Sequence, residues 1–253
     1  MSKTEIVFIL DKSGSMYSIK NDAIGGFNNF IEEQKKIDGK VNLTLVLFDS
    51  YVNQQEVKDI NSIEPLNEIV YKPSGGTALV DAIGKSIDSL NKRLSEQPVD
   101  EQPDNIIFAI MTDGEENMSI GYSAEQVKNK IENMRTRDYQ FIFLGANIDA
   151  VETAKGLGIN DKMAGQFVAK GAGASSAIMN ASEMVMSYAT TGKMLSYDDA
   201  VKATSKATSD SATNIGEAVK ILGRVIEREE SQKSFDRIVK DMHKSIGDKN
   251  EKA

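Results

Sequence analysis

The sequence predicts an α/β fold: a doubly wound, mostly parallel sheet of six strands with one antiparallel edge strand, followed by a C-terminal helical extension. Three observations support this prediction. Short apolar runs alternate with segments of helical periodicity over the first two-thirds of the chain. Most of these runs are apolar throughout, which is typical of parallel strands covered by helices on both faces. Strands separated by helices imply right-handed crossover connections and a doubly wound sheet.

The first part of the chain provides two long strands and the edge strand. Residues 6–10 form an unbroken apolar run, and a helical spacing follows from Ile19 through Phe30. Residues 43–48 predict the second strand. The more polar residues 51–57 predict an edge strand that pairs with it antiparallel, as in a hairpin.

The next helix has the clearest periodicity in the chain. It follows the glycine pair before Thr77, and its apolar positions step by three or four residues, at Leu79, Ile83, Ile87, Leu90 and Leu94. Residues 106–111 and 141–144 then predict two more buried strands. Ser123 with Gln126 predicts a capping box for the helix between them. The remaining elements are a short helix, a last strand and a closing helix, over residues 151–157, 166–169 and 178–188.

The predicted organisation is one α/β domain over residues 1–190 and a helical extension with a frayed end over residues 191–253. Two apolar stripes in the extension have helical spacing, at Ile215, Val219, Leu222 and Ile226 and at Ile238, Met242 and Ile246. Such stripes either pack on the domain or associate between chains. The sequence therefore leaves open a homo-oligomer formed through these helices.

Composition and charge exclude several classes of function. The 253 residues include no cysteine and a single histidine, His243, which excludes thiolate and multi-histidine metal sites. The net charge of -8 and the lack of a basic segment argue against binding to nucleic acid or to anionic membranes. No apolar run approaches the roughly 18–20 residues that cross a bilayer, and the first residues do not resemble a secretion signal. We therefore expect a cytoplasmic protein.

Polar side chains follow two of the predicted buried strands and precede one helix. Asp11, Ser13 and Ser15 come after the first strand, Thr77 precedes the strongly periodic helix, and Asp113 follows a central strand. In an open doubly wound sheet, ligands bind outside the carboxyl ends of the strands, where the strand order reverses. Two carboxylates and three hydroxyls are hard oxygen donors that suit Mg²⁺, with Mn²⁺ or Ca²⁺ as alternatives. They are too few to complete an octahedral shell, so one position stays available for water or an incoming carboxylate.

The same residues carry a family resemblance. The segment 11–15, Asp-Lys-Ser-Gly-Ser, followed by Gly-Thr at Thr77 and Thr-Asp-Gly around Asp113, resembles the metal-ion-dependent adhesion site of the von Willebrand factor A family. That motif is Asp-x-Ser-x-Ser followed by a distant Thr and a distant Asp, and all five positions match. The resemblance covers residues 4 to about 190 and implies a Rossmann-like fold.

The resemblance also implies roles for the five residues. Ser13, Ser15 and Thr77 would contact a metal directly, and Asp11 and Asp113 would act mainly through waters and hydrogen bonds. An Asp or Glu of a partner protein would complete the shell. The resulting hypothesis is a protein-binding module that depends on a divalent metal, a scaffold or adaptor and not an enzyme.

Two alternatives come from other functional classes. One is a magnesium-dependent phosphatase-like enzyme with Asp11 as nucleophile, although the second carboxylate that such enzymes place two residues later is Ser13 here. The other is a structural protein that self-assembles through its C-terminal helices.

Several polar residues near the motif have two interpretations each. Glu115, Glu116 and Asn117 either add to the metal face or select a partner, or they form a solvated loop. Lys12 either steers an acidic partner or is an ordinary exposed lysine. Asp49 either lines the partner surface or belongs to a plain hairpin turn.

Overall fold

The computed structural model describes residues 2–209 and shows the α/β fold that the sequence predicts. The strands are β1 (Lys3–Asp11), β2 (Lys40–Phe48), β3 (Val52–Gln54), β4 (Lys58–Asp59), β5 (Asn105–Thr112), β6 (Gln140–Ala146) and β7 (Ala164–Phe167). The α-helices with defined ends are α1 (Lys20–Gln34), α2 (Leu79–Ser95), α3 (Ala124–Arg135), α4 (Ala150–Gly156) and α5 (Gly173–Thr191).

The strands form one mixed sheet in the order β3-β2-β1-β5-β6-β7, with β4 also paired to β2. Four strand pairings are parallel: β1 pairs with β2 and β5, and β6 pairs with β5 and β7. The two short edge strands pair antiparallel with β2. All parallel strands therefore end at the same edge of the sheet, which we name the carboxyl edge.

The two outer parts of the sheet differ from the prediction. The edge strand predicted over 51–57 is shorter in the structure, where β3 covers only Val52–Gln54. A further short strand, β4, follows the predicted run, so the described residues contain a sheet of seven strands instead of six. Residues 55–57 separate the two short strands. At the other side, β7 begins at Ala164 and ends at Phe167, earlier than the predicted 166–169. Ala164 and Gly165 are small and give no apolar strand pattern, which explains the error.

Alternate side chains of β1 enter two separate cores, one on each face of the sheet. Ile6, Phe8 and Leu10 pack with residues of α1 and α5. Val7 and Ile9 pack with residues of α2, α3 and α4. Burial on both faces explains why this strand is apolar along its whole length.

Two helix predictions are confirmed in detail. The apolar stripe of α2 is buried along its whole length, at Leu79, Ile83, Ile87, Leu90 and Leu94. At the start of α3, the Ser123 hydroxyl accepts the Gln126 N–H, and the Gln126 side chain accepts the Ser123 N–H, which is the predicted capping box.

The chain continues to pack on the domain after α5. A helix that starts at residue 197 places Ala200 in the core, and the Tyr197 ring lies against Gly165, where a Cβ atom would come within 2.2 Å of it. The compact unit that contains the sheet reaches Thr204. The apolar stripes of the predicted extension lie outside the described residues, as does His243. The division into 1–190 and 191–253 therefore stays a prediction.

Candidate metal centre

Two strands in the middle of the sheet bring the predicted site together. β1 and β5 pair directly, while β2 and β6 lie on their outer sides, so the strand order reverses between β1 and β5. Asp11 is the last residue of β1, and Asp113 immediately follows β5. Both carboxylates therefore lie at the carboxyl edge, at the position where an open α/β sheet binds its ligands.

Asp11 is fully buried, and both of its carboxylate oxygens accept hydrogen bonds. Oδ1 accepts the backbone N–H of Ser13 at 2.6 Å, and Oδ2 accepts the Thr112 hydroxyl at 2.6 Å. Burial raises the pKa of Asp11 to about 6, although these hydrogen bonds act to lower it. Since both donors are neutral, they stabilise the negative charge of Asp11 but do not neutralise it.

The two serines connect Asp11 to Asp113. The Ser13 and Ser15 hydroxyl oxygens lie 3.1 Å apart, and the Ser15 hydroxyl donates to Asp113 Oδ1 at 2.6 Å. Burial raises the pKa of Asp113 as well, against the effect of the Ser15 hydrogen bond. Ser15 uses its hydrogen toward Asp113, so its oxygen lone pairs stay available to a cation.

Thr77 approaches the same site from the loop before α2. The backbone N–H of Gly14 donates to the carbonyl of Gly75 at 3.1 Å, which ties the serine loop to the Thr77 loop. A Cβ atom built on Gly114 would lie 3.4 Å from Thr77 Oγ1 and 3.6 Å from Ser15 Oγ. Both hydroxyl oxygens thus border the space beside Gly114. The structure brings all five predicted residues to one place.

A long loop after Asp113 fixes the position of Thr77. The Asn117 side-chain oxygen accepts the Thr77 N–H at 2.9 Å, and the Asn117 N–H donates to the Thr77 carbonyl at 3.0 Å. Glu116 accepts the N–H of Val80 at 2.8 Å, at the start of α2. Asn117 and Glu116 therefore brace the site internally, which neither interpretation of this loop anticipated. Glu115 is exposed.

Lys12 and Asp49 form an ion pair with each other beside the site. The Asp49 carboxylate also accepts the backbone N–H of Tyr51 at 2.8 Å, so it shapes the turn after β2. Both side chains are mostly buried, with 17% and 11% of their surface exposed. Lys12 is therefore neither an ordinary exposed lysine nor free to steer a partner.

Three residues that sequence reasoning did not assign to the site contact it. Thr112 donates to Asp11, as described above, and lies within the recognised Thr-Asp-Gly segment. The buried Tyr71 hydroxyl donates to the Asp11 carbonyl. Asn147 has a left-handed backbone with φ of 55° and donates its side-chain N–H to the Asp113 carbonyl at 3.3 Å. Tyr71 and Asn147 lie in irregular loops, where periodicity gives no signal.

The local electrostatics favour a cation. Burial, together with the charges of Asp11 and Asp113, raises the pKa of the Tyr71 hydroxyl well above its usual value. Two buried carboxylates with raised pKa values and neutral donors form a site in which a positive charge would be stabilised. The described residues include no group of three or more His, Cys, Asp or Glu side chains that could hold a metal. The donor set here instead combines two carboxylates with three hydroxyls, and it fits a hard cation such as Mg²⁺, Mn²⁺ or Ca²⁺.

The comparison with protein families decides the classification. The family model for the von Willebrand factor type A domain matches residues 5–172. This chain belongs to that family. Domains of the von Willebrand factor A family are generally protein-interaction modules. No curated protein matches the sequence.

Solved structures are similar to this chain at low sequence identity, and two of the three below have TM-scores of 0.50 or more. The pilus adhesin SpaC from Lactobacillus rhamnosus GG is 13% identical with a TM-score of 0.56, over 74% of this chain and 31% of that one. Proximal thread matrix protein 1 from the mussel byssus is 15% identical with a TM-score of 0.50, over 74% of this chain and 46% of that one. Manganese-loaded TRAP protein of Plasmodium vivax is 18% identical with a TM-score of 0.47, over 63% of this chain and 64% of that one. The match spans less than two thirds of each of these proteins.

None of the helices in the described part of the chain combines the length and the apolar character needed to cross a membrane.

Proposed function

We propose that this von Willebrand factor A domain is a protein-binding module, acting as a scaffold or adaptor, that captures an Asp or Glu carboxylate of a partner at a divalent metal. The observation that supports it is the convergence of two buried carboxylates and three hydroxyls at the carboxyl edge of the sheet. Ser13, Ser15 and Thr77 would hold the metal directly. Asp11 and Asp113 would act through waters and hydrogen bonds.

The resident ion in this proposal is Mg²⁺, with Mn²⁺ or Ca²⁺ as substitutes. A divalent cation bound there would supply a positive charge and an open coordination position for an oxygen of the partner. The chain contributes the rest: Thr112 and the Ser13 N–H orient Asp11, and Asn117 orients Thr77. Because the protein's own charged groups are two carboxylates, an acidic partner can bind only after a cation has reversed the local charge.

Partner capture in three conditions tests this function. Recovery of a partner from a lysate of the source cells should be high with Mg²⁺ and lost with EDTA or with Asp113→Ala. Glu96→Ala is the matched control, because Glu96 is an exposed acid at the C-terminal end of α2. Equal recovery with Mg²⁺, with EDTA and with Asp113→Ala would reject the proposal.

The phosphatase alternative has weaker support. A nucleophilic Asp11 needs a free carboxylate oxygen that can reach a phosphorus atom, whereas both Asp11 oxygens accept hydrogen bonds and the residue is 0% exposed. We therefore propose a module without enzymatic activity. Phosphatase turnover that disappears in Asp11→Asn would reverse this ranking.

Assembly and location remain part of the proposal. We place the protein in the cytoplasm, without nucleic-acid or membrane partners, and keep self-assembly through the C-terminal helices as the structural alternative. Sedimentation of the full chain against a chain ending at residue 209 tests the alternative, because the helix from residue 197 packs on the domain and should be retained. A smaller assembly in the shortened chain would support it.

A further inference from the structure

Exposed apolar side chains concentrate at the carboxyl edge, which also holds the candidate metal centre. Among the described residues, eight of the ten large, exposed apolar side chains lie on segments at this edge: Tyr17, Tyr51, Ile69, Val70, Met118, Ile120, Val151 and Val168. We name these eight residues the apolar rim. Val99 and Met179 lie elsewhere. Large exposed apolar groups that cluster on one face are typical of interaction surfaces.

Three members of the apolar rim are attached directly to the site. Tyr17 lies in the 3-10 turn Gly14–Ile19, two residues after Ser15. Met118 covers Gly76, where an added Cβ atom would lie 2.3 Å from its Cγ. Tyr51 follows Ser50, whose hydroxyl accepts the Gly76 N–H at 2.8 Å. These side chains therefore border the place where a captured carboxylate would enter.

The opposite flank of the rim is located by two contacts. Glu68 pairs with Lys20, the first residue of α1, at 2.7 Å, and Tyr71 donates to the Asp11 carbonyl. Ile69 and Val70 lie between Glu68 and Tyr71, so they belong to the same edge. Their exposed fractions are 78% and 45%.

Several charged side chains at this edge are paired or hydrogen-bonded within the protein, whereas Glu115 is exposed. Lys12 pairs with Asp49, and Lys20 pairs with Glu68. Glu116 accepts N–H groups at the start of α2 and within its own loop. These charged groups already interact within the protein, whereas the side chains of the apolar rim are exposed and could contact a partner.

We propose that the apolar rim docks a protein segment in which the metal-bound acidic residue is flanked by apolar side chains. This inference rests on the proposed function, since the carboxylate must reach the metal. The carboxylate would supply the metal-dependent contact, and apolar flanks would bury the rim away from water. Buried aromatic and apolar contacts beside one charged anchor are a typical composition of specific interfaces.

A peptide library tests this inference with a defined probe. Decapeptides with Glu fixed at the centre and randomised flanks are bound to the full-length chain in Mg²⁺ and in EDTA, and the retained peptides are sequenced. Wild type in Mg²⁺ should enrich apolar residues next to Glu. The triple variant Tyr17→Ser, Tyr51→Ser, Ile120→Ser should bind the enriched peptides about tenfold more weakly, equivalent to about 1.4 kcal/mol. Its Mg²⁺ affinity and its stability should stay unchanged.

The matched control is Val99→Ser with Met179→Ser, since these side chains are exposed at 85% and 46% but lie outside the rim. This control should bind the enriched peptides like wild type. Glu-dependent retention in Mg²⁺ with no apolar enrichment, or with an unaffected triple variant, would overturn the inference and leave the proposed function standing. Retention that is equal in Mg²⁺ and EDTA would instead overturn the proposed function. If wild type self-associates in EDTA and the triple variant does not, the rim binds a second copy of the chain, which would contradict the inference.

Discussion

Two buried carboxylates at opposite ends of β1 are treated differently by the fold. Glu5, near the start of the strand, is 1% exposed and accepts a hydrogen bond from the Arg93 guanidinium at 2.6 Å. Asp11, at its end, is 0% exposed and receives hydrogen bonds from a hydroxyl and a backbone N–H. Burial raises the pKa of both groups, but at Glu5 the charge of Arg93 counteracts it.

The difference is consistent with the proposed function, in which the Asp11 end of the strand serves a bound metal and the Glu5 end is structural. At Glu5 the chain supplies its own cation, so the charge is balanced in the folded protein. At Asp11 the chain supplies only neutral hydrogen-bond donors, and in the proposed function a bound metal would balance the charge. Each prediction below tests one side of this comparison.

The largest effect is expected for Arg93→Ala. Removing the cation leaves Glu5 buried without its charged partner, which should lower the free energy of unfolding by roughly 3 kcal/mol. Denaturant unfolding of the metal-free protein measures the loss, and Mg²⁺ should not restore it. The double variant Glu5→Gln, Arg93→Met should recover most of the stability. A single variant as stable as wild type would show that Glu5 does not depend on Arg93.

Asp11→Asn should have the opposite effect and raise the free energy of unfolding of the metal-free protein. The pKa of Asp11 rises from 3.8 to about 6 on folding, so its contribution to stability is complete below pH 3.8 and lost as pH rises through 6. At pH 7.5 the variant should therefore be more stable than wild type by roughly 3 kcal/mol, given about 1.4 kcal/mol per pKa unit. The Asn amide can replace the Thr112 hydrogen bond by donating to the hydroxyl.

Thermal unfolding at pH 4 and pH 7.5, with and without Mg²⁺, checks the Asp11→Asn prediction. Mg²⁺ should stabilise wild type and have little effect on the variant. A variant that is less stable than wild type at pH 7.5 without metal would mean that the ionised Asp11 is already balanced within the protein.

Asn117→Ala should weaken Mg²⁺ binding by about tenfold, a loss of about 1.4 kcal/mol, because Thr77 loses a hydrogen bond that fixes its position. Titration calorimetry measures the affinity. Ser119→Ala is the matched control: the Ser119 hydroxyl lies in the same loop, accepts the Asp81 N–H and donates to Glu116, instead of contacting Thr77. An equal loss of Mg²⁺ affinity in the two variants would mean that Asn117 only stabilises the loop and has no specific effect through Thr77.

The smallest effect is expected at a half-buried carboxylate, which serves as a reference for the two fully buried ones. Burial acts to raise the pKa of Asp88, but hydrogen bonds from Lys130 and Tyr122 and the charge of Lys130 together lower it overall. Its contribution to stability is therefore present above the normal pKa and lost as pH falls through the lowered one. Asp88→Asn should destabilise the protein by less than about 1 kcal/mol at pH 7. The difference should vanish at low pH in an acid titration of stability.

The sequence predicts the central sheet and the convergence of the five site residues for a definite physical reason. Parallel strands such as β1 and β5 must be apolar on both faces, and their carboxyl ends lie at one edge. Residues that follow these runs, Asp11 and Asp113, are therefore placed without knowledge of any loop. The family motif then adds Thr77, whose own loop has no periodicity.

Contacts between loops could not be predicted in this way. Asn117 meets Thr77 across 40 positions of the chain, and Lys12 meets Asp49 across 37. Such pairs depend on irregular backbone conformations, for which neither hydrophobic periodicity nor spacing carries information. The start of β7 was missed for a related reason, since small residues such as Gly165 show no alternation.

The packing of α5 and of residue 200 has a consequence for how this protein is made. Both follow residue 172, where the family match ends, yet Ile178, Val185 and Ala200 are buried in the core on one face of the sheet. During synthesis, the strands emerge long before the segment that covers this face. The nascent chain therefore exposes this apolar face of the sheet until about 200 residues have left the ribosome. A fragment that ends at the family boundary would keep the same face exposed permanently.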